Sequence, residues 1–401
     1  MIQTAILGFG TVGSGVAEVL TMNRDEIARG AGDELALKYI LDTREFPESP
    51  FRDKLIHDFA VIESDPEVEI VAECIGGAGI AYEFVKRCLT AGKHVVTSNK
   101  EMVAKHGDTL LALAAEHNVN FFFEASVGGG IPILRPLLSC LAGNRIEEIC
   151  GILNGTTNYI LTRMIDEGVE FDEVLKQAQE LGYAERDPSA DVDGPDTCRK
   201  LCILADLAYG VHVDPETVTT WGIRGVSKQT VFFAGQTGMR IKLLGRVLRG
   251  ADGKIAAYVA PHFIPESHQL AHVDDVFNAI MVRGNAVGET LFYGRGAGKL
   301  PTGSAVVADM IDAAIHRTQR RPLSWGPKQD NYLADLRELP LTWFVRAKDA
   351  PEAILAAIPG ARLLGGDGEA QGFLAGPMTL RALEESGLHR MEQLPVLSEA
   401  K

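Results

Sequence analysis

The sequence predicts an α/β chain: a doubly wound parallel sheet, then an α+β region, then a small β-α-β-β-α-β unit. Three observations predict it. Apolar runs of strand length alternate with amphipathic helical stretches over the first 130 residues, the pattern of a parallel sheet wrapped by helices. A glycine-rich turn separates the first apolar run from the first helix. From residue 131 the alternation gives way to helices and then short strands. At 401 residues the chain exceeds one ordinary core, which points to two or three domains.

In chain order, residues 2–8 read as a buried strand and residues 10–20 as a helix, with Val12, Val16, Val19 and Leu20 on one face. Residues 36–41 form a second strand ending at Asp42, and residues 69–75 a third closed by Gly76 and Gly77. A helix over 81–91 stops at Gly92; a strand over 94–97, a helix over 101–116 and a strand over 120–124 complete a domain spanning 1–130. A second domain, 131–320, has helices over 132–141, 156–167, 171–181 and 196–209 and strands over 146–153, 243–248 and 256–263. Its last helix, 304–318, is expected to return to the first domain. A third unit, 335–401, has strands over 341–346, 361–364, 372–375 and 391–397 and helices over 350–358 and 380–386, a ferredoxin-like order.

Composition narrows the function. A net charge of -15 argues against nucleic acid or an anionic membrane as partner. It does not exclude a phosphate-bearing cofactor, because backbone N–H groups at a helix N-terminus bind phosphate locally. Cys74, Cys88, Cys140, Cys150, Cys198 and Cys202 show neither a disulfide framework nor metal-ligand spacing, as expected of reduced thiols. With no apolar run of membrane-spanning length, and a strand that begins at Ile2, a cytoplasmic location is expected.

Gly8-Phe9-Gly10-Thr11-Val12-Gly13 fits the G-x-G-x-x-G pattern. The pattern alone is weak in a glycine-rich chain, but here it follows an apolar strand and opens an amphipathic helix. In a Rossmann-type domain Gly8 permits the tight turn, Gly10 lets the backbone approach a pyrophosphate, and Gly13 lets helix and strand pack closely. An NAD(P)-dependent oxidoreductase is the reading. Asp42, ending the second strand, suits the ribose hydroxyls of NAD; Arg44 suits the 2′-phosphate of NADP. The choice stays open.

A second cluster lies in residues 182–196, with five carboxylates in fifteen residues (Glu185, Asp187, Asp191, Asp193, Asp196). Asp196 and Lys200, four apart in a helix, project from one face. A lysine held beside a carboxylate could protonate a forming alkoxide. Asp187 and Asp193 read as solvated loop residues, and at least two of Asn154, Thr156, Thr157 and Asn158 as caps or turn residues.

Several ordered blocks together resemble the homoserine dehydrogenases. They are Glu73-Cys74-Ile75-Gly76-Gly77, residues 92–100 ending Thr97-Ser98-Asn99-Lys100, residues 124–132, residues 154–160, the acidic stretch with Lys200, and Gly296-Ala297-Gly298-Lys299-Leu300-Pro301-Thr302. They cover roughly residues 1–320. The resemblance implies reversible NAD(P)H-dependent reduction of L-aspartate 4-semialdehyde to L-homoserine, a step towards threonine and methionine. It implies that Lys200 is the proton donor, with Lys100 a second candidate beside the nicotinamide. Glu185, Asp196, Asp191 and Tyr183 would hold the substrate. Gly76, Ser98, Gly182 and Gly298 would join Gly8, Gly10, Thr11, Val12, Gly13, Asp42, Arg44 and Lys100 around the cofactor. A monovalent cation, sodium in this family, would sit on the Glu124 carboxylate and the carbonyls of Val127, Gly129 and Ile131, and the chain would form a homodimer or homotetramer. The last unit resembles a degenerate ACT-type regulatory domain. Its first strand-to-helix turn, residues 348–352, lacks glycine, so feedback by threonine is not expected.

Two other readings fit parts of the pattern. Another Rossmann reductase, an aspartate-semialdehyde dehydrogenase, would need a reactive cysteine, and only Arg145 lies near Cys140 and Cys150 in sequence. A non-catalytic nucleotide sensor would bind cofactor without turnover and has no use for Lys100, Glu185, Asp196 and Lys200 as a set.

Overall fold

The computed structural model describes residues 1–250 and 252–397. Packing divides the chain into two units. The first comprises Met1–Gly143, Cys202–Pro215 and Gly294–Lys328; the second comprises Asn144–Leu201, Glu216–Tyr293 and Gln329–Lys401.

The first stretch contains the expected elements with α2, β3 and α3 added: β1 (Ile2–Leu7), α1 (Thr11–Met22), α2 (Arg24–Ala31), β2 (Leu35–Leu41), β3 (Leu55–Ile56), α3 (Phe59–Ser64), β4 (Val68–Glu73), α4 (Ile80–Thr90), β5 (His94–Thr97), α5 (Lys100–Glu116), β6 (Phe121–Phe122) and α6 (Leu134–Ser139). The six strands pair in parallel in the order β3-β2-β1-β4-β5-β6. The order reverses between β1 and β4, and the crevice outside the carboxyl ends of those strands is where such sheets hold a ligand.

The second unit begins with β7 (Ile146–Ile152), α7 (Gly155–Glu167), α8 (Phe171–Glu180), α9 (Ser189–Val192) and α10 (Pro195–Tyr209), whose last residues belong to the first unit. Then come β8 (Thr219–Thr220), α11 (Lys228–Gln236), β9 (Met239–Arg249), β10 (Ile255–Pro265), β11 (Phe277–Gly284) and β12 (Gly288–Arg295). Helix α12 (Lys299–Ile315) lies in the first unit, where Ala305, Val306, Val307, Met310, Ala313 and Ala314 share a core with Ile6, Val16, Leu20 and Ile70. Gly15 and Gly303 make this contact close: a Cβ on Gly15 would lie 2.2 Å from the Lys299 carbonyl oxygen.

The tail continues as β13 (Leu341–Ala347), α13 (Pro351–Ala357), β14 (Arg362–Gly366), β15 (Gln371–Met378), α14 (Leu380–Glu385) and β16 (Arg390–Val396). Its strands lie in the order β16-β13-β15-β14, antiparallel throughout, with the last strand beside the first. They do not form a separate sheet. β16 also pairs with β10, so the second unit has one ten-stranded sheet ordered β12-β11-β7-β9-β10-β16-β13-β15-β14, with β8 on β10. Trp343, Phe373, Ile354 and Leu383 of the tail share a core with Tyr258 and Ala260 of β10.

Several elements were not expected. Helix α2 buries only Ile27 and Ala31, too few apolar positions to declare a face. β12 is exposed at alternate positions, and the pair Leu291 and Tyr293 that could mark it as a strand points outward. The strand expected over 120–124 is two residues long, because Glu124 begins a single 3-10 turn.

Candidate active site

At the end of β1 the chain turns through Gly8 with φ +89°, a conformation that favours glycine. A Cβ on Gly13 would stand 1.9 Å from the Gly8 carbonyl oxygen, so α1 packs onto the turn only because position 13 has no side chain. Gly10 differs: the nearest atom to its missing Cβ is an Arg44 guanidinium nitrogen at 3.9 Å, which leaves room for a ligand. Gly10 is also the N-cap of α1 and makes no side-chain cap bond. The exposed Thr11 and half-buried Val12 open the helix, and its first turn carries no acidic residue. Turn, open glycine and uncapped helix start together leave backbone N–H groups facing a space that could take a pyrophosphate.

Asp42 and Arg44 sit beside this turn and bind each other. The carboxylate accepts the Phe9 N–H at 2.7 Å, the Arg44 N–H at 3.0 Å, and two guanidinium bonds at 3.0 Å each. The Arg44 guanidinium holds the Asp42 carboxyl well below the usual carboxylate range. The Arg44 side chain is 61% exposed while that of Asp42 is 7% exposed, so the arginine is the partner that can turn towards a ligand.

Beyond β4 and β5 a buried carboxylate that sequence reasoning left without a role ties two loops together. Glu73 accepts the N–H groups of Ile75 at 2.6 Å and Gly76 at 3.3 Å, and the Thr97 hydroxyl. Thr97 in turn accepts the Asn99 N–H, and Asn99 donates its amide to the Gly77 carbonyl at 2.6 Å while capping α5 through Met102 N–H. Burial raises the Glu73 carboxyl above its ordinary value. The exposed Gly76, the half-buried Ser98 and Lys100, the first residue of α5, stand on this braced rim. Gly298 is the N-cap of α12.

Glu124 begins the next loop. Its carboxylate accepts the N–H groups of Ile133 and Leu134 on one oxygen, at 2.6 and 2.8 Å, and of Arg135 on the other, at 2.7 Å. Three of about four lone-pair directions are thus spent on the start of α6, which leaves one for a cation. Val127, Gly129 and Ile131 are buried, and a Cβ on Gly129 would meet the Gly296 carbonyl oxygen at 2.4 Å. Among the described residues no group of three or more His, Cys, Asp or Glu side chains could hold a metal ion, so any cation here would rest mainly on carbonyl oxygens.

In the second unit the acidic stretch divides. Asp187 caps the turn at Ser189, and Asp193 pairs with Arg224 at 2.6 Å. Glu185, Gly182 and Tyr183 are exposed, the Tyr183 ring edge-on to Tyr159 with centroids 5.0 Å apart. Asp196 and Lys200, by contrast, are 3% and 8% exposed, on one face of α10. Lys200 Nζ donates to Asp196 Oδ2 and to the Leu153 carbonyl, each at 2.7 Å. Asn154, following β7, donates its amide to Asp191 at 2.6 Å and Asp196 at 2.9 Å. The structure therefore gathers Asp191, Asp196 and Lys200 and leaves Asp187 and Asp193 outside. The Lys200 nitrogen is thus set between a carboxylate and a carbonyl and largely shielded from water.

Comparison with known proteins gives this arrangement a context. A model of the homoserine dehydrogenase family matches residues 132–311, and one described as the homoserine dehydrogenase NAD binding domain matches residues 8–124. A homoserine dehydrogenase of Neisseria gonorrhoeae is 41% identical over 365 residues, which cover 87% of this chain and 83% of that one. The crystal structure of a homoserine dehydrogenase from Thiobacillus denitrificans has a TM-score of 0.90 at 34% identity and covers 99% of this chain and 98% of its own. A hyperthermophilic archaeal homoserine dehydrogenase in complex with NADPH has a TM-score of 0.67 at 31% identity, over 78% of this chain and 98% of its own.

Proposed function

The chain belongs to the homoserine dehydrogenase family, and we propose that within its reaction Lys200 is the acid–base group and Asp196, Asp191 and Glu185 face the substrate's ammonium. The reaction is the reversible NAD(P)H-dependent reduction of L-aspartate 4-semialdehyde to L-homoserine. The observation that carries the assignment is the buried Lys200 Nζ, 2.7 Å from both Asp196 Oδ2 and the Leu153 carbonyl. A nicotinamide nucleotide held through its pyrophosphate by the Gly8–Gly13 turn, with its nicotinamide near Lys100, would supply the hydride or take it up in oxidation. Lys200 holds a proton at Nζ for the oxygen that becomes the alcohol and accepts it back when homoserine is oxidised. Asp196 keeps that nitrogen in place. Tyr183 lines the substrate's approach. Lys100 serves the cofactor side together with Gly76, Ser98, Gly182 and Gly298.

NADP(H) is the preferred cofactor in this reading. Asp42 has its oxygens filled by two backbone N–H groups and by Arg44, whereas the exposed Arg44 guanidinium can leave Asp42 for a 2′-phosphate. A sodium ion on the carbonyls of Val127, Gly129 and Ile131 and the last lone pair of Glu124 belongs to the same proposal. A melting temperature higher in sodium chloride than in choline chloride is expected, and equal values would remove the ion. The assembly is a homodimer or homotetramer; a monomer in light scattering would contradict it.

The decisive experiment follows nicotinamide reduction with L-homoserine, using NAD+ and NADP+ separately, for the wild type and Lys200→Ala. Turnover with homoserine, faster with NADP+, is expected. The variant should lose roughly 10²- to 10⁴-fold in kcat with little change in cofactor affinity. Retained turnover in Lys200→Ala would take the acid–base role from Lys200 and leave Lys100 as its holder.

A further inference from the structure

We infer that Asn154 is a positioning residue for the reaction, one that joins the two substrate-facing carboxylates and through Asp196 sets the place of Lys200 Nζ. The inference rests on the assignment of Lys200, Asp191 and Asp196 proposed above. It starts from which way the amide points. Asn154 is the N-cap of α7, and its Oδ1 accepts the Thr157 N–H at 2.9 Å and lies 3.1 Å from the Thr157 hydroxyl. A backbone N–H can only donate, so the oxygen must face Thr157 and the NH2 must face the other way. There it meets Asp191 Oδ1 at 2.6 Å and Asp196 Oδ2 at 2.9 Å. One NH2 with two hydrogens thus serves two carboxylates, and the helix cap fixes its orientation.

Two like charges brought this close repel each other, and donors to both oxygens offset that repulsion. Asp196 Oδ2 also takes the Lys200 ammonium, so the amide and the lysine approach one oxygen and define its position. The residue before Asn154 contributes as well: the Leu153 carbonyl is the second acceptor for Lys200. Two consecutive residues at the end of β7 therefore locate the lysine, Leu153 directly and Asn154 through Asp196. Asn154 itself carries no proton to or from the substrate.

The cap and the donor can be separated. Asn, Asp and Ser are nearly equivalent N-caps, but only asparagine adds an NH2. Asn154→Ser, and with a slightly weaker cap Asn154→Thr, should therefore keep α7 while losing the link between the carboxylates. The full-length variants are compared with the wild type and Lys200→Ala in homoserine oxidation, thermal melting and NADPH binding by fluorescence. For Asn154→Ser we expect a melting temperature within about 2 °C of wild type and NADPH affinity within about two-fold. We expect kcat/KM for homoserine to fall roughly 100-fold, with KM raised because the carboxylates separate and kcat lowered because Lys200 is misplaced. Should Asn154→Ser fail to fold, Asn154→Thr, another neutral N-cap without an NH2, decides on the same terms. The inference is overturned if the folded variant keeps both kcat and KM within about three-fold of wild type, or if NADPH affinity falls in step with kcat/KM, the mark of general damage. Turnover retained in Lys200→Ala would instead count against the acid–base assignment, and the homoserine KM of Asn154→Ser would still report on Asp191 and Asp196.

Discussion

Arg44 shows how much a single contact can change the reading of a residue. From sequence, Asp42 and Arg44 point to opposite cofactors, one favouring a ribose diol and the other a phosphate. The structure turns that conflict into a pair: the carboxylate is neutralised by the arginine and by two backbone N–H groups, and the arginine is exposed. Arg44→Ala should therefore lower kcat/KM for NADP+ by about ten-fold, or 1.4 kcal/mol, while leaving or improving that for NAD+, since it frees Asp42 for ribose hydroxyls. An equal loss with both cofactors would mean that Arg44 only supports the turn. At this scale the acidic stretch was partly legible. The i, i+4 spacing of Asp196 and Lys200 declared their shared face, but nothing in the spacing of Asn154 declared a role beyond capping, because its partners are 37 and 42 residues away.

Among the elements, those defined by local chemistry were legible and those defined by distant packing were not. The strand–glycine turn–helix of β1 and α1 and all six elements of the tail follow from period and punctuation. Helix α11, with Phe232 exposed and Phe233 buried, does not show a clean stripe. Helix α10 carries a further buried charge that periodicity cannot assign. Near its C-terminal end Asp206 is fully buried, accepts the Val213 N–H at 2.6 Å and lies 3.0 Å from His212 Nδ1. Burial pushes the Asp206 carboxyl up to about 6, and the hydrogen bond to Asp206 raises the His212 imidazole. Both groups hold more protons folded than unfolded, so their contribution to stability is largest at low pH and is lost as pH rises through the raised folded values. Asp206→Asn removes both shifts. The stability advantage of the wild type over this variant should grow by about 1 kcal/mol between about pH 8 and about pH 6. A constant difference in melting temperature across that interval would show that the two groups do not titrate as a pair.

For the whole molecule, the sequence suggested a tail that stands apart, and the structure shows strands that continue the sheet of the second unit. Nothing local to residues 341–396 could have shown this, because the joining contact is a pairing of Phe263 with Val396, far apart in the chain. Removing residues 329–401 should thus uncover Tyr258 and Ala260 and leave β10 without its partner at Phe263, its edge beyond the two residues of β8 open. We expect residues 1–328 alone to aggregate or to melt well below the full chain; a soluble fragment with full homoserine turnover would contradict the role given to β16. The first unit carries the opposite lesson. Its sheet is complete by residue 122, yet the last helix of the core that it shares with α1 and α2 is α12, at 299–315. On a ribosome, which releases the chain from its N-terminus, the strands of that sheet emerge long before the last helix that completes their core. Their apolar face must wait through the synthesis of nearly two hundred further residues, an interval in which a holding chaperone would find its surface.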